Sequence, residues 1–119
     1  MNNVLAAYKQ FIQDRDWDQF HTPKNLASAV SIEAAELQEH FLWLTPEQSQ
    51  QLSKTALIEV QAECADVFLY LLTLADKLGI DLLAAAWNKL ESNAVKYPAD
   101  RCKGKADKWT VYQQALKQG

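Results

Sequence analysis

Apolar residues recur along the chain at helical rather than strand spacing, and they mark out four main helices. Val4, Leu5, Tyr8, Phe11 and Ile12 share one side of a helix predicted over about residues 2–14. A polar connection, DRDWDQFHTP, follows, and Pro23 suits the start of a second helix running to about residue 44. Leu26, Val30, Leu37 and Leu44 fall on its buried side; Ser28, Ser31, Ala35, Gln38 and Glu39 fall on its wet side. Thr45, Pro46 and Gln48 form a capping-box pattern that opens a short helical turn. A long third helix spans about residues 54–78. Gly79 suits the left-handed position that ends it, and Asp81 caps a fourth helix over about 82–96, closed by Pro98.

The 119 residues suffice for one domain and are too few for two, and only three Gly and three Pro interrupt them, so the expected class is all-α. The expected architecture is a four-helix bundle forming a single domain over residues 1–119, with a Lys-rich tail from about residue 99. A net charge of −3 with no basic run argues against nucleic acid as the main partner. The longest apolar run, VFLYLLTLA, is about half of what a bilayer span needs. The N-terminus lacks the basic and apolar regions of a signal peptide, and Cys64 and Cys102 form no CxxC pair. Together these point to a cytoplasmic protein with no membrane partner, in which Cys64 reads as a small core residue.

The third helix is apolar nearly all round. Glu59, Glu63, Asp66, Tyr70 and Thr73 form its one polar stripe, with Val60, Val67 and Leu71 on one flank and Ile58, Phe68, Leu69 and Leu72 on the other. A chain this short has few elements with which to cover it, so a homodimer or a dimer of dimers is expected.

Two helices carry acids where apolar residues belong. Glu33 and Glu36 border the buried stripe of the second helix, and Glu63 and Asp66 repeat the i, i+3 spacing on the third. Packed side by side, the helices would bring four carboxylates to one place, where they can stay ionised together only around a hard cation. Carboxylates without a nearby Cys or His ligand pattern select Mg²⁺ or Mn²⁺ over Zn²⁺. An isolated ExxE is usually a solvated face; two such pairs on apolar sides are harder to explain that way. His40 reads as a helix-face histidine, and Glu59 as a partner of the site or of Lys54. Two other classes stay open on the residues alone. A di-iron carboxylate bundle would want Glu-x-x-His, whereas the nearest pair is Glu36-x-x-x-His40. A non-enzymatic helical interaction module would pair the acids with lysines across an oligomer.

Lys89, Asn93 and Lys96 line one stripe of the fourth helix, followed by Tyr97 and Arg101: donors suited to phosphate oxygens, or else a solvated basic C-terminus favoured by the helix dipole. Trp17, Phe20, His21, Trp43, Tyr70 and Trp87 are candidates for stacking on a base. Trp43, placed beside Glu36 by a helix reaching residue 44, is the best of these, and Trp17 lies in a polar loop where a core role is less natural.

The EAAE…ECAD pairs resemble the ExxE…ExxD signature of the all-α nucleoside triphosphate pyrophosphohydrolases, the MazG-like superfamily. WDQFHTPKNL before the first pair, FLW after it and KLESNAVKYP near the end resemble its dCTP pyrophosphatase branch, and the likeness spans about residues 4–112. The resemblance implies Mg²⁺ ligands at Glu33, Glu36, Glu63 and Asp66, with Glu36 and Glu63 taking part in catalysis. It further implies Trp17 and His21 near base or sugar, Lys24 and Asn25 near substrate, Trp43 and Tyr70 on the base pocket, and Asn93, Lys96, Tyr97 and Arg101 on the phosphates. Position 24 is Lys where Arg is common, which replaces a bidentate fork by a point charge. The implied reaction converts a dNTP, with dCTP or a related nucleotide foremost, to the monophosphate and pyrophosphate, as a house-cleaning task. Pockets built from more than one chain are implied too.

Overall fold

The structure, a computed structural model, describes residues 2–104. The helices are α1 (Asn2–Asp14), α2 (Pro23–Glu39), α3 (Pro46–Ser49), α4 (Lys54–Lys77), α5 (Leu82–Lys96) and α6 (Ala99–Cys102), with a 3₁₀ turn at Asp18–Phe20. No strand occurs among the described residues, as the absence of any alternating run predicts. Among them no helix is long and apolar enough to cross a membrane. By their internal contacts the described residues fall into two compact units, divided between Ile80 and Asp81.

In the first unit α2 packs along α4, and α1 lies on α4. Ile12, Leu26, Leu72 and Ala75 form its buried apolar centre, and Leu26 is 1% exposed. Thr73 is buried with them because its hydroxyl donates to the Leu69 carbonyl at 2.7 Å. The caps follow the sequence: Thr22, Thr45, Ser53 and Asp81 side chains each accept a backbone N–H in the first turn of their helix. Thr45 and Gln48 complete a reciprocal capping box. Gly79 sits at φ 67°, where the Ile80 N–H reaches back to the Ala75 carbonyl at 2.8 Å and ends α4.

Two expectations are corrected. The second helix stops at Glu39, not near residue 44, and the chain leaves it through i→i+3 bonds from Phe41 and Leu44. Pro46 holds Thr45 extended, at ψ 161° and capping α3, which bars helix through residue 45; residues 40–43 before it already run as turn. Cys64 is exposed rather than core, because α4 turns its acidic stripe toward α2 and leaves Cys64 on another side. The exposed large apolar side chains of α4 include Leu57, Ile58, Phe68 and Leu71.

The second unit contains α5 and the single turn α6. The Asp81 carboxylate accepts the Ala84 N–H at 3.1 Å, and Leu83, Ala86, Trp87 and Leu90 line a shallow apolar groove along α5. Most of the tail predicted from about residue 99 lies outside the described residues; its first residues form α6.

Candidate active site

The α2–α4 pairing brings three of the predicted acids together. Glu33, Glu36 and Glu63 each offer a carboxylate oxygen, and these oxygens lie within 4.8 Å of one another. Glu33 and Glu63 are half-buried, and each keeps one buried Oε2 without a hydrogen-bond partner. The Glu33 carboxyl is pushed up to about 7 from its ordinary 4.5: first by burial, then by a side-chain hydrogen bond and charge repulsion from Glu36, then by Asp66 and Glu63. Asp66 is the fourth predicted ligand. It does not join that tight trio, but its charge reaches Glu33, Tyr70 and Tyr8.

Two orphaned oxygens in a group of mutually repelling carboxylates are what a divalent cation would satisfy. The all-oxygen donor set fits a hard cation.

Beside the acids lies an open cavity of about 560 Å³, within the usual range for a small-molecule site. Asp66 borders it, and Tyr8, Phe11, Trp17 and Tyr70 supply its aromatic walls. Val4, Ala7, Tyr8 and Phe11 recur at helical spacing, so this face of α1 turns to the cavity while Ile12 enters the core. Tyr8 and Phe11 stack at 5.9 Å, and Trp17 meets Phe11 edge-on at 5.7 Å.

The exit from α1 explains how Trp17 gets there. Asp16 adopts φ 55°, the left-handed conformation that Asp tolerates better than most residues. The Trp17 N–H then bonds the Ile12 carbonyl at 3.0 Å and the Asp16 N–H bonds that of Gln13 at 3.1 Å, a Schellman turn with its hydrophobic contact between Trp17 and Phe11. Gln19 Nε2 donates to the Asp16 backbone and carboxylate and steadies the turn. Lys77, at the end of α4, donates to Asp18 at 2.6 Å and fastens the next residue along. That contact holds the Asp18 carboxyl below its usual value.

His21 stands edge-on to Tyr70 at 6.4 Å, with a buried Nδ1 that has no partner. Burial, then the Lys77 charge, keep its ring below its ordinary pKa against the opposing pull of Asp18, so it is neutral at pH 7. Tyr8 and Tyr70 are both held above their usual value, by burial first and then by neighbouring ionisable groups, Asp66 and Glu33 among them. Their hydroxyls are therefore donors at neutral pH.

The remaining predicted residues are placed differently. Lys24 is exposed in the first turn of α2. Asn25 Nδ2 donates to the Phe20 carbonyl at 2.9 Å and ties the 3₁₀ turn to α2. Trp43 is 88% exposed and does not line the cavity; the placement beside Glu36 presupposed helix that ends before it. Asn93, Lys96 and Tyr97 lie at the C-terminal end of α5 and Arg101 on α6, all in the second unit. Three further residues border the site. Tyr8 and Phe11 read as core stripe, and His40 faces both Glu59 and Glu63 of α4. The signal for His40 is its spacing from Glu36, one helical turn along the same face.

The MazG-like family model matches residues 28–111 of the chain. The dCTP pyrophosphatase 1 of Rattus norvegicus is 35% identical over 115 residues and that of Homo sapiens 34% identical over 112, each match covering 92% of this chain and 66% of the relative. The chain thus spans about two thirds of the length of these curated relatives. A pyrophosphatase of known structure from Archaeoglobus fulgidus is 40% identical, with a TM-score of 0.78 over 82% of this chain and 92% of that one.

Proposed function

The chain belongs to the MazG-like family, and from that premise we propose that it is a Mg²⁺-dependent pyrophosphohydrolase that converts a dNTP and water to the dNMP and pyrophosphate. The observation that carries the proposal is the meeting of Glu33, Glu36 and Glu63, with two buried unpartnered oxygens, beside an open, aromatic-walled cavity of about 560 Å³. dCTP or a related nucleotide is the proposed substrate, supported by relatives named dCTP pyrophosphatase 1, and removal of unwanted dNTPs from the cytoplasmic pool is the proposed role. We read residues 1–119 as a single functional domain, a reading supported by a family match over residues 28–111 that extends into both units.

Glu33, Glu36, Glu63 and Asp66 hold the cation in this reading. When bound, Mg²⁺ supplies neutralisation of the triphosphate and polarisation of the anhydride bond that breaks. Glu36 orients the attacking water and accepts its proton, and Glu63 acts with it. The base enters between Tyr8, Phe11, Trp17 and Tyr70, where stacking needs only a π-face. His21 Nδ1 is free to accept a hydrogen bond from base or sugar. Lys24 and Asn25 stand at the substrate's edge, and Asn93, Lys96, Tyr97 and Arg101 bind the phosphates.

The same reading makes the protein a homodimer or homotetramer. Only four apolar residues are buried among those described, while Ile32, Leu57, Ile58 and Trp43 are each close to half exposed or more. Trp43 then serves a pocket completed by a second copy.

Incubating the purified protein with a dNTP panel and Mg²⁺, and detecting pyrophosphate, tests the activity. Turnover that depends on Mg²⁺ and vanishes in Glu63→Ala is expected. No turnover of any nucleotide, with Glu63→Ala leaving stability and metal affinity unchanged, overturns it.

A further inference from the structure

One imidazole at the end of α2 lies between two carboxylates of α4. His40 is the C-cap residue of α2; its Nε2 is 3.6 Å from Glu63 Oε1 and its Nδ1 is 3.7 Å from Glu59 Oε2. Glu59 and Glu63 are one helical turn apart on the same face of α4, which is why a single ring can face both. The His40 side chain is 25% exposed and that of Glu63 21%, whereas Glu59 is 58% exposed. The ring is thus enclosed toward Glu63 and reaches water beside Glu59.

The two oxygens of Glu63 meet different surroundings. Oε1 faces the imidazole, while Oε2 is buried with no hydrogen-bond partner, and the carboxylate as a whole joins the trio with Glu33 and Glu36. A glutamate carboxylate turns freely about its last torsion, which has no sharp rotamer wells. A group that engages one oxygen therefore decides where the other points.

We propose that His40 is a positioning residue for the cation site: its Nε2 faces Glu63 Oε1 and so holds the torsion of the carboxylate that meets Glu33 and Glu36. The role rests on the reading of these three glutamates as cation ligands. Partners that orient ligating groups are typically worth ten- to a hundredfold in metal affinity. Contacts at ion-pair rather than hydrogen-bond distance place His40 near the lower end of that range.

The test measures Mg²⁺ binding directly, by calorimetry without nucleotide, in the wild type, His40→Phe and His40→Gln, beside thermal melts of each in EDTA. Phenylalanine keeps a ring of similar size without an N–H, and glutamine keeps a donor without the ring. The expected result is an affinity about tenfold weaker for His40→Phe and within about threefold of wild type for His40→Gln. The EDTA melts of all three should agree within about 2 °C. Equal affinity in His40→Phe and wild type overturns the positioning role, as does equal weakening in both variants. A loss of affinity accompanied by a collapsed EDTA melt assigns His40 to packing alone and overturns it too. If the wild type binds Mg²⁺ and releases pyrophosphate while His40→Phe binds as well, only the positioning role falls; a wild type that binds no Mg²⁺ overturns both.

Discussion

Glu33 is the group through which the metal-free protein should feel pH. Its carboxyl is pushed up to about 7, against 4.5 for an unhindered one, with burial the largest cause. At about 1.36 kcal/mol per pKa unit, the difference bounds the cost of ionising Glu33 in the native state at about 3 kcal/mol. Glu36 shares part of that cost and solvent screens part of the rest, so about 1–2 kcal/mol is the working expectation. The sign follows from proton binding. Between pH 4.5 and about 7 the native state holds a proton that the unfolded chain has released, so stability is full below the lower value and falls as pH rises toward the upper one. Two other groups work in the opposite sense. His21 is held below its ordinary pKa, so the stability it contributes grows as pH rises through the range in which the unfolded ring loses its proton. Asp18, lowered by Lys77, loses its contribution only as pH falls below the carboxylate range.

The comparison of wild type with Glu33→Gln therefore isolates Glu33. Melts in EDTA at about pH 5.5 and pH 8 should show a wild-type Tm that drops by about 5 °C more than that of Glu33→Gln. Saturating Mg²⁺ should reverse the drop, adding about 2.7 kcal/mol at a hundredfold excess over Kd at pH 8 and much less at pH 5.5, where a proton must leave first. A metal-free wild type at least as stable at pH 8 as at 5.5, relative to Glu33→Gln, refutes the reasoning.

Asp66→Asn removes one of the charges that raise Glu33; its EDTA melt should rise by about 1–3 °C while Mg²⁺-dependent pyrophosphate release is lost, and a fall in the melt would make Asp66 a structural group. Leu26→Ala empties the most buried side chain of the first unit and should lower unfolding free energy by about 3 kcal/mol at unchanged m-value in urea; a loss below about 1 kcal/mol would mean that Leu26 is not the packing centre. Gly79→Ala should cost about 1 kcal/mol from its left-handed backbone alone, because nothing lies within 4 Å of the added methyl, and an unchanged denaturation midpoint would contradict that assignment of cause. Asp18→Asn frees the turn that carries Trp17 from Lys77; KM for the nucleotide should rise severalfold with kcat little changed, and a kcat loss at constant KM would argue against a role confined to the pocket.

What could be read from the sequence, and what could not, follows from what periodicity measures. An angular count fixes which side of its own helix a residue occupies, so it places Glu33, Glu36 and Glu63 on inward faces, and the α2–α4 packing brings them to within 4.8 Å. The same count says nothing of register along a neighbouring helix. That is why Asp66 shares the stripe of Glu63 yet lies off the tight trio, where it borders the cavity instead. Nor can a count separate an apolar side that fills a core from one that lines a cavity. On α1, Ile12 does the first and Tyr8 and Phe11 the second, through the same residue types at the same spacing. The count also fails where the helix ends. Trp43 lies beyond the end of α2 at Glu39, and a side chain in a turn has no helical face to be assigned. His40 combines both difficulties, as a C-cap residue whose partners lie on another helix; only the pairing of α2 with α4 shows that it looks onto Glu63. Short-range signals suffered from none of this. Thr45 with Gln48, Asp81 and Gly79 each act within one turn of chain, where bond geometry rather than tertiary register decides the outcome. Local chemistry thus fixes caps and the C-terminal turn of α4, and the relation between helices determines which inward acids meet.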